Sequence, residues 1–448
     1  MSQGIALDSF LKEQQYLKDY VRTSIHHHHP KKEKFSVDLF KQHTVNDGFL
    51  RTPWHHSVLF DTVKQQFIVD HKSSHMEKFA DDSVLCTVMH KDKEWFLIRI
   101  ALDAEKKRVL ETHDIRVSMI KDGCGLIVEN ATGRADLKSD IFAPSSITGM
   151  IKHFGVVVLR GFARFRTEEE LYNAYYKHGR NGIVPWKSSP VHVVKPSEDV
   201  PGYVNKKEAV PIHWDMMLPP AYMGISQTEH KYEDFTCREF LLYCHRSSDV
   251  GTPGATTFID AIAVVLALNG QIAEKLKNIT VVCESRLLQT NEKAGVADDD
   301  KKEKTLYFGG KGNTMEYPLV QLCPWMNKEV LRWLEIWKEE DHPGTVQVQG
   351  YQIKQNNNTN DDEGQERATV DDLEKEIRKT ALDDRFFFSH TYEEGDQVYV
   401  NNYSMLHGRN SFTNERELWR VQLIPPTDNV PEYWKSLGHT YYPHGHDY

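Results

Sequence analysis

Gly395-Asp396-Gln397-Val398-Tyr399-Val400-Asn401-Asn402-Tyr403-Ser404-Met405-Leu406-His407-Gly408-Arg409 is the stretch on which the fold turns, with Arg416 and Arg420 following it. Its opening is a reversal into a strand. Glycine and aspartate supply the turn, and Gln397 to Val400 is a run of β-formers. The strand delivers His407 a few residues beyond its end, and His213-Trp214-Asp215 lies far upstream.

Two neutral imidazoles and one carboxylate on one face of Fe(II) leave the opposite face open for a cosubstrate and dioxygen, the ligand set of non-haem oxygenases. In His213-x-Asp215 the period of two puts both side chains on one side of an extended strand. The third ligand must then come from another strand, and His407 is the candidate. An isolated His-x-Asp carries little weight, because the chain contains a second one, His90-Lys91-Asp92. That copy lies between two strand-like runs, Val84 to Met89 and Trp95 to Ile100, and is predicted to be a polar hairpin turn.

Between the two halves, Gly254-Ala255-Thr256-Thr257-Phe258-Ile259-Asp260 leads into an apolar stretch from Ala261 to Leu268. The pattern fits a strand running into a buried helix. Arg416 and Arg420 are four apart, which places them on one side of either a strand or a helix, and Val421 and Leu423 favour the strand. A guanidinium is a planar fork for bidentate capture of a carboxylate. One arginine therefore suits the distal carboxylate of 2-oxoglutarate and the other an anionic substrate. The alternative is a pair of surface arginines matched to Glu415 and Glu417.

Four stretches, in order, resemble the taurine dioxygenase (TauD/TfdA-like) family of Fe(II)- and 2-oxoglutarate-dependent dioxygenases, within the clavaminate-synthase-like superfamily. They are His153 to Phe162, Val210 to Asp215, Gly254 to Asp260, and Gly395 to Leu423, the last being the most specific. The resemblance covers roughly residues 145 to 425. It implies an α+β fold: a double-stranded β-helix (jelly-roll, cupin-like) core with flanking helices. It also implies that His213, Asp215 and His407 ligate iron, while Thr257 and Arg416 hold 2-oxoglutarate. Arg420 matches the position that faces substrate, with Arg409 and Trp214 as further substrate contacts; Arg420 is also the alternative for the cosubstrate. Halogenating relatives replace the carboxylate ligand with a small residue, so Asp215 argues against halogenation. The implied chemistry is oxidative decarboxylation of 2-oxoglutarate by O2, giving succinate and carbon dioxide. It is coupled to oxidation of an unactivated C–H bond, with hydroxylation, desaturation or oxidative cyclisation as outcomes.

The chain has 448 residues and a formal net charge of −10. That balance argues against nucleic acid as a partner, while a few placed arginines still suit a small anionic substrate. No run reaches the roughly 18 apolar residues of a transmembrane helix. Acidic and polar groups from Met1 to Phe10 stand where a signal peptide needs an apolar core, so a cytoplasmic location is expected, with no membrane partner. The cysteines at 86, 124, 237, 244, 283 and 323 show neither Cys-x-x-Cys nor zinc spacing and are predicted to be buried thiols. His26 to His29 read as part of a disordered segment.

Two parts are expected. Residues 1–140 form an N-terminal extension, a helix over about 1–25 followed by a β-rich region, which would cap the site or make a homo-oligomer contact. Residues 141–448 form the dioxygenase domain, with polar loop insertions near 291–305 and 355–365. In the first part, strands are predicted over Val84 to Met89, Trp95 to Leu102, Arg108 to Glu111 and Ile115 to Ile120. In the second, Val156 to Leu159 should be a strand, Thr167-Glu168-Glu169-Glu170 a capping box opening a helix to about His178, and Thr369 the N-cap of a helix to Thr380. Val330, Leu331, Trp333, Leu334 and Trp337 read as a helical apolar stripe. Trp186, His192, Tyr203 and Asn205 suit a pocket rim.

Three functions fit this sequence. The first is a 2-oxoglutarate oxygenase acting on a carboxylate-bearing, amino-acid-like small molecule in specialised metabolism. The second is a protein or peptide side-chain hydroxylase or demethylase on the same fold. The third is a non-oxygenase metal-binding module or lyase.

Overall fold

The computed structural model describes residues 34–35, 58–69, 83–103, 114–121, 124–132, 134, 136–175, 182–184, 191–196, 207–215, 238–248, 254–268, 270–285, 314–323, 326–335, 346–353 and 363–424. Outside them lie the expected first helix, the histidine run, the 108–111 strand, the 291–305 insertion, most of the 355–365 insertion, and Trp186, Tyr203, Asn205 and Trp337. The chain divides into two compact units. The first comprises Met1–Asn181, Gly395–Asn401 and Pro425–Thr427, and the second Gly182–Glu394, Asn402–Ile424 and Asp428–Tyr448.

In the first unit the strands run in the order Lys34–Phe35, Gln66–Val69, Val58–Asp61, Lys93–Ala101, Ser83–His90, Ile115–Lys121, Cys124–Asn130, Val156–Arg160 and Gln397–Asn401. Val156 to Leu159 are all buried; a continuous apolar run is what a strand covered on both faces requires. This strand pairs in parallel with Cys124–Asn130 and antiparallel with Gln397–Asn401. The helix before it, Pro144–Phe154, carries proline in its first turn and ends at Gly155, φ 75°, whose N–H donates to Ile151 O. Phe154 packs edge-on against Phe60 at 5.1 Å and stacks on Phe96 at 6.1 Å.

The Gly395-Asp396 turn forms as expected. Gly395 takes φ 93°, and Arg160 donates to both oxygens of the buried Asp396 at 2.9 and 2.6 Å. The second His-x-Asp is a tight hairpin: Lys91 and Asp92 have φ 47° and 61°, the two positive values of a type I′ turn. The helix after Thr167 spans Glu168–Tyr175, with Glu170 N–H donating to Thr167 Oγ1 at 3.1 Å. The reciprocal bond comes from Arg166 N, one residue earlier than a capping box places it.

In the second unit, one sheet holds Glu239–Arg246, Glu417–Ile424 and His192–Val194, with Gly182–Val184 also on the Glu417–Ile424 strand. A second sheet runs Val210–His213, Met405–Arg409, Thr256–Asp260, Phe387–His390. Their inner faces meet. Phe240 of the first lies 4.9 Å from the His407 ring of the second. This is the facing-sheet arrangement of the jelly roll. His407 thus sits in a strand of its own, separated from Gln397–Asn401 by the turn Asn402 to Ser404.

Asp260 ends its strand and caps the helix Ala261–Ala267, its side chain accepting from Ile262 N and Ala263 N. The predicted stripe from Val330 to Leu334 is not helical: Lys328–Leu331 is a strand paired with Val320–Cys323, and 332–335 is irregular. Its apolar side chains are buried by that hairpin and its continuation, so a helical period was matched by burial of another kind. The late helix spans Glu363–Ala381, starting six residues before the predicted cap, and turns Leu373, Ile377 and Ala381 inward. Cys86, Cys124, Cys244 and Cys323 are buried free thiols, and burial pushes Cys86 up to about 12.

Candidate metal and cosubstrate site

Val210–His213 and Met405–Arg409 pair antiparallel with His213 directly opposite His407. Opposed residues of a ladder share a face, and the two rings lie 4.4 Å apart. Gly408 permits this approach: a Cβ there would meet Val210 O at 2.7 Å, Thr257 Oγ1 at 2.9 Å and Ile212 Cδ1 at 3.0 Å. Asp215 lies two residues past the strand end, with Oδ2 3.3 Å from His407 Nε2 and Oδ1 3.9 Å from His213 Nε2. One ligand atom from each of the three residues lies within 4.8 Å of the others.

The protonation states suit a cation. His213 Nδ1 is 2.8 Å from Pro211 O, so it carries the proton and leaves Nε2 as a lone pair toward Asp215. Burial, and the His407 ring beside it, lower the His213 pKa to about 3. Burial pushes the Asp215 carboxyl up, but Arg420, His407 and His213 outweigh it and hold the group below the usual carboxylate range. The cluster at neutral pH is therefore two imidazoles, one of them firmly neutral, and one carboxylate.

Asp215 is fixed from behind by Asn402, a side chain that sequence reading left without a role. Asn402 Oδ1 accepts from Asp215 N and Asn402 Nδ2 donates to Asp215 O, both at 3.0 Å. The only sequence signal was its place in the Asn401-Asn402 pair. The strand carrying His213 is held by Glu335, whose Oε2 accepts from Ile212 N at 3.0 Å and whose N–H donates to Ile212 O at 2.8 Å.

Arg416 is buried, 4% exposed. Its guanidinium carbon lies 4.9 Å from the Tyr392 ring and 5.7 Å from the Phe412 ring, and Nη2 reaches Thr256 Oγ1 at 3.4 Å. Among the described residues no carboxylate pairs with it, its Nε has no hydrogen-bond partner, and burial lowers its pKa. The hydroxyl it reaches is that of Thr256, not Thr257. Thr256 opposes Arg409 and Phe258 opposes His407, whereas Thr257 opposes Gly408. The period of two therefore turns Thr257 to the other face of the sheet, away from the histidines. Thr256 Oγ1 also lies 2.7 Å from Tyr392 OH.

Arg420 projects from the facing sheet, opposite His192 on one side and Leu242 on the other. It donates to Asp215 Oδ2, and its guanidinium carbon lies 5.1 Å from the Phe240 ring. The other two expected substrate contacts have partners of their own. Arg409 donates to Glu208 O at 2.9 Å and lies over Phe412. Trp214 is 1% exposed, edge-on to Tyr317 at 5.3 Å, on the opposite side of the chain from His213 and Asp215.

A family model described as taurine catabolism dioxygenase TauD, TfdA family, matches residues 138–422. The chain belongs to the TauD/TfdA family. As a TauD-family protein it is an Fe(II)- and 2-oxoglutarate-dependent oxygenase. A second model, described as pyoverdine/dityrosine biosynthesis protein, matches residues 1–81. Tyrosine isonitrile desaturase of Erwinia amylovora is 26% identical over 274 residues, 60% of this chain and 76% of the relative. Isocyanide synthase xanB of Aspergillus fumigatus is 25% identical over 445 residues, 90% of this chain, which spans 47% of that longer protein. The solved structure of PvcB from Pseudomonas aeruginosa aligns with 71% of this chain and 97% of its own, at 18% identity and a TM-score of 0.48.

The TauD-family cofactors fit the residues present. A largely buried His-Asp-His set whose ligand atoms lie within 4.8 Å of one another suits Fe(II). A buried guanidinium with no carboxylate partner among the described residues, flanked by two hydroxyls, suits the free carboxylate of 2-oxoglutarate.

Proposed function

We propose that this TauD-family oxygenase oxidises a C–H bond of a carboxylate-bearing small molecule derived from an amino acid, and that this molecule is an isonitrile. The observation that carries the reading is Arg420: a second arginine facing the ligand cluster, next to the Phe240 ring. A guanidinium beside an aromatic face matches a carboxylate attached to a flat apolar body. The isonitrile comes from the relatives, one named a tyrosine isonitrile desaturase and the other an isocyanide synthase.

In this reading His213, Asp215 and His407 hold Fe(II), with Pro211 O and Asn402 fixing two of the three ligands. Iron, once bound, supplies dioxygen activation coupled to decarboxylation of 2-oxoglutarate to succinate and carbon dioxide. Arg416, Thr256 and Tyr392 bind the distal carboxylate of the cosubstrate, Thr256 taking the part that sequence assigned to Thr257. Arg420 orients the substrate carboxylate, and Phe240 and Leu242 exclude water beside it. Desaturation is the outcome favoured by the first relative's name.

The test is succinate release with Fe(II), 2-oxoglutarate and oxygen, using isonitrile derivatives of tyrosine and tryptophan against the free amino acids and short peptides. The expected result is release stimulated by an isonitrile acid, with a product lacking two hydrogens, and loss of that stimulation in Arg420→Met. Stimulation by peptides or free amino acids alone overturns the substrate assignment. A chain that never decarboxylates 2-oxoglutarate overturns the site assignment.

A further inference from the structure

Arg332 is fully buried, 0% exposed, and belongs to none of the groups assigned above. Its guanidinium carbon lies 3.7 Å from the Tyr403 ring and 4.4 Å from the Trp214 ring. Nη1 donates to Asn402 O at 3.1 Å. Nε and Nη2 have no hydrogen-bond partner among the described residues, and no carboxylate pairs with it there.

Burying a charge that has no counter-charge is unfavourable, and an apolar residue of similar volume in such a place is often neutral or stabilising. Stability alone therefore gives no reason for an arginine here. What a planar cation provides that an apolar chain does not is geometry: stacked between two rings, it fixes their separation, and its fork fixes a carbonyl. The three groups it fixes are the immediate neighbours of the ligand cluster. Trp214 stands between His213 and Asp215 in the chain. Asn402 is the residue that clamps the Asp215 backbone, and Tyr403 follows it.

We infer that Arg332 is a positioning residue for the metal carboxylate: stacked between Trp214 and Tyr403 and bonded to Asn402 O, it holds the Asn402 clamp in register with Asp215. The inference rests on the reading of His213, Asp215 and His407 as metal ligands, and it is independent of the substrate.

The experiment is Mn(II) binding to the full chain, followed by the electron paramagnetic resonance of free Mn(II), alongside thermal unfolding of the metal-free protein. The variants are Arg332→Met, Asn402→Ala and the double variant, with Asp215→Ala as control. Loss of outer hydrogen-bonding partners weakens metal sites by about 10- to 100-fold, and that is the rise in Mn(II) Kd expected for Arg332→Met, with a melting temperature at or above that of the unaltered protein. Because Arg332 acts through the clamp, adding Arg332→Met to Asn402→Ala should weaken binding little further. An Arg332→Met protein that binds Mn(II) normally overturns the inference, as does a double variant whose effects multiply. If Arg332→Met does not fold, Tyr403→Leu removes one face of the stack with the guanidinium retained; the same weakening supports the inference and unchanged binding overturns it. Wild-type-like Mn(II) binding in Asp215→Ala overturns instead the ligand reading beneath it.

Discussion

Replacing Arg416 by methionine keeps most of the side-chain volume and removes the charge, which separates cosubstrate binding from packing. Removing one partner of a buried charge pair costs about 2 to 5 kcal/mol. At about 1.4 kcal/mol per decade, the Kd for 2-oxoglutarate should rise roughly 30- to 4,000-fold. The protein without cosubstrate should respond in the opposite sense or hardly at all. Two cation–ring contacts, to Tyr392 and Phe412, are lost at roughly 1 kcal/mol each, while a guanidinium with no carboxylate among the described residues no longer has to be buried. The assay is calorimetric titration of 2-oxoglutarate into Mn(II)-loaded protein, paired with thermal unfolding with and without cosubstrate. A ligand at 100 times its Kd stabilises by about 2.7 kcal/mol, a shift the variant should lose at the same concentration. Unchanged 2-oxoglutarate affinity, with substrate binding lost instead, refutes the assignment and exchanges the roles of Arg416 and Arg420.

Thr256→Val should weaken 2-oxoglutarate binding roughly fivefold, the worth of one hydrogen bond, whereas Thr257→Val should leave it unchanged; the reverse order in the same titration would restore Thr257 to the site. The His213 pKa, about 3 in the fold against about 6.5 unfolded, means that the unfolded chain binds the extra proton first as pH falls. Stability of the metal-free protein should therefore decline between about pH 6.5 and 3 at up to roughly 1.4 kcal/mol per unit from this group. His213→Gln, measured by urea unfolding, should flatten that decline. Glu239, pushed up to about 8 mainly by burial, has the opposite sign: it lowers stability as pH rises from about 4.5 to 8. Glu239→Gln should thus stabilise more at pH 8 than at pH 5, and an equal effect at both rejects the buried-acid reading.

The Gly395 to Leu423 run was legible because each of its elements is local: a glycine turn, β-formers and an arginine pair at strand spacing. His213 and Asp215 could be picked out as ligands only with His407 in hand, since the same tripeptide at His90 forms a hairpin turn. What sequence alone does not decide depends on facing or on distant partners. Thr256 and Thr257 are adjacent and chemically equal, and only ladder register says which one faces the histidines. Trp214 and Arg409 lie beside ligands in the chain, yet their side chains are taken up by Tyr317 and by Glu208 O. Arg332 sits in a segment whose apolar residues mimic a helix, and its contacts come from residues 118 and 70 positions away, Trp214 and Asn402.

The opposition of His213 and His407 on one rung also has a kinetic side. The ligands come from opposite ends of the second unit, and the Asp215–Asn402 clamp joins residues 187 positions apart. Closing so long a loop is slow relative to local structure. Until that rung closes, this site has His213 and Asp215 without His407, a pair too sparse to hold iron tightly. Tight metal binding at this site should therefore arise late in folding, with the closing of that rung. Metal bound there stabilises the folded chain by mass action, so metal supply should set both the active fraction and, in part, how much protein stays folded.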